Sequence, residues 1–119
     1  MLEKDLQSAC LRHVKWMQGK GMPIIAINQH GSAFSSRGVP DILMCIAGKF
    51  VAVELKVGNN KPTDLQSHYL DQIYRAAGYA CVIYDLPAFK TMILDIFESD
   101  NKEIKHALYK VGEWNKKTD

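Results

Sequence analysis

From Leu2 to about Gln18, apolar residues recur as Leu2, Leu6, Ala9, Cys10, Val14 and Met17, with His13 in the same stripe. This is the spacing of one helix face, and Gly19-Lys20-Gly21 supplies a stop. The run Pro23–Asn28 is short and β-branched between two glycines and predicts a buried strand. Two further apolar runs, Asp41–Ile46 and Phe50–Val57, are separated by Ala47-Gly48-Lys49 and predict a β-hairpin whose strands, apolar on both faces, are central in a sheet. Thr63-x-x-Gln66 is a capping-box signature that opens a second helix, which Gly78 closes. Tyr79–Tyr84 predicts a fourth strand. Pro87 falls where the first turn of a helix tolerates it, and Phe89, Met92, Ile93, Ile96 and Phe97 carry a third helical stripe to Glu98. The tail from Asn101 is weakly helical and polar at its end. The order αβββαβα places helices against a mixed sheet, an α/β class, in a single domain spanning residues 1–119.

Composition changes little in this picture. The chain is 47% hydrophobic and 24% charged, which excludes a disordered protein. No apolar run is long enough to cross a bilayer, and Met1-Leu2-Glu3-Lys4-Asp5 lacks the basic-then-apolar order of a signal peptide, so an intracellular protein with no membrane partner is expected. Cys10, Cys45 and Cys81 lie in apolar surroundings and are expected as buried free thiols, and no Cys or His spacing announces zinc. His13 and His68 read as helix-packing or surface residues. Fifteen Lys and Arg against thirteen Asp and Glu give a net charge of only +2. A nucleic-acid partner would therefore need a local patch.

Two residues conflict with the hairpin that holds them. Asp41 and Glu54 are carboxylates at the ends of otherwise apolar strands, where burial without a partner is expensive. If the turn is centred between Ala47 and Gly48, residues whose numbers sum to 95 face each other. Asp41 then opposes Glu54 with Cβ atoms about 5 Å apart, and Lys56 joins the same face. A three-residue turn would shift that register by one. Two like charges directly opposite destabilise a sheet unless a cation or a shared proton compensates them. Lys56 can neutralise one carboxylate, and the second argues for Mg²⁺, with Mn²⁺ as a substitute, since both prefer oxygen ligands. Such a site suits phosphodiester hydrolysis.

Pro40-Asp41 followed by Glu54-Leu55-Lys56 resembles the PD-(D/E)XK nuclease signature. The longer string Arg37-Gly38-Val39-Pro40-Asp41-Ile42, Val53-Glu54-Leu55-Lys56, Gln66 and Gly78 is similar to the VRR-NUC (virus-type replication-repair nuclease) family over nearly the whole chain. The resemblance implies a restriction-endonuclease-like PD-(D/E)XK domain. In it Asp41 and Glu54 bind the metal, the Leu55 carbonyl adds a backbone ligand, Lys56 assists the nucleophilic water and Gln66 supports the site from the helix. It also matches Glu3 to an acidic ligand on the first helix. Small members of the family are associated with cleavage of four-way DNA junctions as homodimers, so a Holliday-junction resolvase is the implied activity. A flap or duplex DNA nuclease of the same chemistry is one alternative, and a non-catalytic nucleic-acid-binding module is another.

Each of these residues also has a plainer role. Glu3 favours the helix dipole, Gln66 completes a capping box, and Lys61 is either a phosphate contact or a loop lysine. The aperiodic stretch from His30 to Gly38, rich in small and hydroxylated residues, reads as a surface loop. His30, Ser35, Ser36 and Arg37 would line a DNA groove there, with Arg37 best suited to a phosphate. Phe89, Met92, Phe97, Tyr109 and Trp114 are candidates for a dimer interface as well as for the core.

Overall fold

The computed structural model describes residues 1–29, 37–98 and 108–109. Its elements follow the expected order: α1 (Glu3–Gly19), β1 (Ile24–Asn28), β2 (Ile42–Ile46), β3 (Lys49–Leu55), α2 (Asp64–Arg75), β4 (Tyr79–Ile83) and α3 (Leu86–Glu98). The strands form one sheet in the order β1-β2-β3-β4, antiparallel at the first two junctions and parallel at the last. The result is an α/β fold with a mixed sheet, closed by a β3-α2-β4 crossover.

Side chains alternate across the sheet, so its two faces are made by different residues of the same strands. One face presents Ile42, Met44 and Ile46, Val51, Val53 and Leu55, and Cys81 and Ile83. On it lie α1, through Leu6, Cys10, Val14 and Met17, and α3, through Phe89, Met92, Ile93 and Ile96. The other face carries a smaller core of Ala52, Ala80 and Val82 beneath Leu70 of α2, and Tyr109 joins it. Tyr109 stacks on Tyr74 with ring centroids 3.9 Å apart, and its hydroxyl donates to Asp71.

Two expectations, a buried first strand and a buried Cys45, are corrected by this layering. β1 is an edge strand and not a buried one: Ile25 and Ile27 are half-exposed, because α2 covers only the β3–β4 side of its face. For the same reason Cys45 is exposed, while Cys10 and Cys81 are buried free thiols with pKa values pushed up to about 12 by burial. Of the interface candidates, Phe89, Met92 and Tyr109 are buried in the cores and Phe97 packs against the larger one, whereas Trp114 lies outside the described residues. The exposed apolar side chains are others, Trp16, Ile25, Ile27, Phe50 and Leu94 among them.

Local chemistry explains the element ends. The hairpin turn is Ala47-Gly48, with φ of 49° and 85°, the two left-handed residues of a type I′ turn. Lys49 is the first residue of β3 and donates its Nζ to the Ile96 carbonyl at 2.7 Å, tying the turn to the last part of α3. Asp85 caps α3 by accepting from the Ala88 N–H at 2.8 Å, and Pro87 occupies the first turn. At the end of α2 the Ala77 N–H bonds the Tyr74 carbonyl and the Gly78 N–H bonds the Ile73 carbonyl, the two bonds of a Schellman motif. The left-handed residue of that motif is Ala77, at φ 72°, and not Gly78. Gly78 is needed for closeness, since a Cβ there would stand 2.9 Å from Ile73 Cγ2 and 3.2 Å from Phe50 Cδ2.

A left-handed alanine carries a steric cost that glycine does not. Ala77→Gly is expected to stabilise the fold by about 1 kcal/mol. Chemical denaturation should show a higher midpoint at unchanged slope, and an unchanged or lower midpoint would contradict the motif.

Candidate active site

The two-residue turn fixes the hairpin register. Ile42 pairs with Val53 and Ile46 with Lys49, so each pair sums to 95, and the next step of the ladder brings Asp41 opposite Glu54. Their side chains share the sheet face that α2 covers. Asp41 Oδ2 accepts from the Leu55 N–H at 2.9 Å, which anchors the residue just before β2 to the end of β3. Lys56 is nearly buried and places its Nζ 3.5 Å from Glu54 Oε2. Its own N–H bonds the Ile83 carbonyl of β4, so the lysine is held by the sheet rather than by a loop.

Glu54 is the exceptional group of this cluster. It is 1% exposed, and its Oε1 is buried without a hydrogen-bond partner. Its pKa is pushed from the ordinary carboxylate range up to about 8, chiefly by burial and then by the neighbouring Asp41, against the opposing pull of Lys56. A buried carboxylate oxygen whose nearest polar neighbour is a second carboxylate is satisfied either by a proton shared with Asp41 or, once that proton leaves, by an oxygen-seeking divalent cation. Mg²⁺ or Mn²⁺ therefore fits Asp41 and Glu54, with the Leu55 carbonyl the adjacent backbone oxygen.

The other expected site residues divide. Glu3 stands apart from the pair: its carboxylate accepts from Asn60 Nδ2 at 3.4 Å. Among the described residues no three His, Cys, Asp or Glu side chains gather into a metal cluster. Gln66 forms the full capping box, its Oε1 accepting from the Thr63 N–H at 2.8 Å and its N–H donating to Thr63 Oγ1 at 3.2 Å. Those bonds account for it as a helix start, and none links it to Asp41, Glu54 or Lys56. Lys61 is exposed in the connection from β3 to α2. His30, Ser35 and Ser36 lie outside the described residues.

Arg37 is exposed, and its position is set by the glycine after it. Gly38 has φ 83° and packs so tightly on the first turn of α2 that a Cβ would fall 2.5 Å from Leu65 Cγ. Both the backbone conformation and the contact call for glycine there. The turn carrying Arg37 is thereby seated on the first turn of α2, with Arg37 four residues before Asp41. Sequence reasoning missed Asn60, whose carbonyl accepts from Tyr84 Oη at 2.8 Å while its amide reaches Glu3. It joins α1, the loop after β3 and the end of β4, and a lone loop asparagine gives no sign of that in the sequence.

No protein-family model, curated protein or solved structure matches the chain. Among the described residues no helix is long and apolar enough to cross a membrane.

Because the folded-state pKa of Glu54 lies above its unfolded value, folding takes up a proton between the two. The stability this contributes is full below about pH 4.5 and is lost as pH rises towards about 8. In the absence of divalent metal, Glu54→Gln should flatten that decline, and added Mg²⁺ should stabilise the unsubstituted protein more at pH 8 than at pH 5. Thermal melts across this range check both, and parallel pH profiles for the two proteins would remove the assignment of the titrating group to Glu54.

Proposed function

We propose that this domain is a metal-dependent DNA endonuclease of the PD-(D/E)XK type, acting on branched DNA such as a four-way junction as a homodimer. The observation that carries the reading is the buried, unpartnered oxygen of Glu54 beside Asp41 and Lys56. The resemblance of Arg37–Ile42 and Val53–Lys56 to the VRR-NUC motifs supports the choice of DNA as substrate.

Asp41 and Glu54 would hold the cation, with the Leu55 carbonyl as a third oxygen. When bound, a divalent cation lowers the pKa of a coordinated water and offsets charge developing on the scissile phosphate. Glu54 has to be ionised to take part, which ties activity to loss of the proton that burial retains. Lys56 offers a fixed ammonium at the same edge, suited to orienting the attacking water or to meeting charge on a phosphoryl oxygen. Arg37, exposed beside α2, is suited to gripping a backbone phosphate bidentately. Two cuts on opposed strands of a junction require two such sites, and a two-fold dimer supplies them in equivalent positions.

A panel of four-way junction, flap, splayed-arm and linear duplex DNA tests the reading. The junction should be cleaved with Mg²⁺ and left intact with EDTA. Asp41→Asn and Glu54→Gln should each lose at least about a hundredfold in rate, a few kcal/mol of barrier. Mg²⁺-dependent cleavage surviving in Glu54→Gln at the original rate would dismiss the site.

A second comparison separates chemistry from grip. Lys56→Ala should slow single-turnover cleavage of saturated DNA with little change in affinity. Arg37→Ala should weaken binding and reduce the salt slope by about 1, the signature of one lost phosphate contact. The opposite pattern would exchange the two roles.

A further inference from the structure

The cleavage reading makes no use of the outer face of α1 towards its C-terminal end. Trp16 is 60% exposed there, on a helix whose inner face is core. One turn before it His13 lies stacked against the indole, with ring centroids 5.8 Å apart and planes at 20°. One turn after it Lys20 holds its Nζ 5.5 Å from the ring centroid. Arg12 and Lys15 are exposed on the same stretch. Lys90 of α3 is near enough that, after burial, it is the second cause lowering the His13 pKa.

The three cations that α1 and its end bring to this patch have no acidic counterpart close in sequence, for between Asp5 and Asp41 the chain carries no Asp or Glu at all, whereas Lys90 lies between Asp85 and Asp95. Among the described residues, none of Arg12, Lys15, Lys20 and Lys90 enters an ion pair. Solvated lysines alone would be unremarkable on a chain of net charge +2. An indole 60% exposed at their centre is different, because it joins an aromatic platform to a ring of positive charge, and a stacking base would displace the Lys20 ammonium from it. That pairing recognises phosphodiester backbones with accessible bases.

We propose that this patch is a second nucleic-acid contact. It takes a single-stranded segment whose phosphates lie among Arg12, Lys15, Lys20 and Lys90 and one of whose bases stacks on Trp16. A single strand fits better than a duplex because paired bases have both faces covered by their neighbours, leaving none for the indole. The patch lies across the sheet from Asp41 and Glu54. It therefore holds a different part of a nucleic acid from the part being cut, and the inference does not depend on the domain cutting anything.

Binding is read without divalent metal, so that it is scored apart from cleavage. Fluorescence anisotropy would follow a labelled oligodeoxythymidine and a duplex of equal length across a salt series. The single strand should bind more tightly than the duplex. Trp16→Ala should weaken it about tenfold, as expected for one lost stacked base, while Trp16→Phe retains most of the affinity. The double variant Arg12→Ala, Lys15→Ala should lower the salt slope by about 1.4, or about 0.7 for each phosphate contact. Arg75→Ala removes one charge from the opposite side of the sheet and should change the affinity little. Equal binding by Trp16→Ala and the unsubstituted protein, a preference for duplex, no binding of either DNA, or an Arg75→Ala loss as large as that of the double variant would each overturn the proposal.

Discussion

An unpaired carboxylate moved into a protein interior costs several kcal/mol, and a second carboxylate beside it raises that cost. Glu54 accepts both conditions on a central strand, and much of the surrounding structure serves to keep it there. The type I′ turn at Ala47-Gly48 fixes the register that opposes it to Asp41. The Leu55 N–H takes one oxygen of Asp41, and the Lys56 ammonium stands beside one oxygen of Glu54. The apolar residues alternating with these, Val53 and Leu55, are packed under α1 and α3 on the other face, so the strand cannot turn its carboxylate out to water. One oxygen still lacks a partner. An unmet electrostatic demand held in a rigid frame makes the fold less stable as the carboxyl ionises.

Most of this was legible in the chain because it depends on short-range rules. Strand alternation, a two-residue turn and one count of residues bring Asp41 opposite Glu54 without knowledge of anything distant. The order of elements was legible for similar reasons, with periodicity, capping residues and glycines each marking an end. Burial was less legible, because a strand's apolar character does not say whether a helix covers it. Ile25, Ile27 and Cys45 have the composition of core residues, yet α2 on their face sits over β3 and β4. The left-handed Ala77 was hidden by the neighbouring glycine, which is present for closeness to Phe50 and Ile73 and not for its φ. Roles made by long-range bonds left no local trace, and Asn60 is the clearest case.

The two sheet faces divide the work. The face under α1 and α3 is an extensive apolar core that gives the fold its stability. The face under α2 is thinly covered, and there the carboxylates, Lys56 and the seat of the Arg37 turn against Leu65 are found.

That division gives Tyr109 a weight out of proportion to its place near the far end of the chain. It is buried against Tyr74 and bonded to Asp71, so α2 is clamped in part by a residue well beyond α3. The position of α2 and that of Tyr109 are thus mechanically coupled. A shortened form ending at Glu98 would keep every carboxylate and lysine of the candidate site and lose the wedge that holds α2 down.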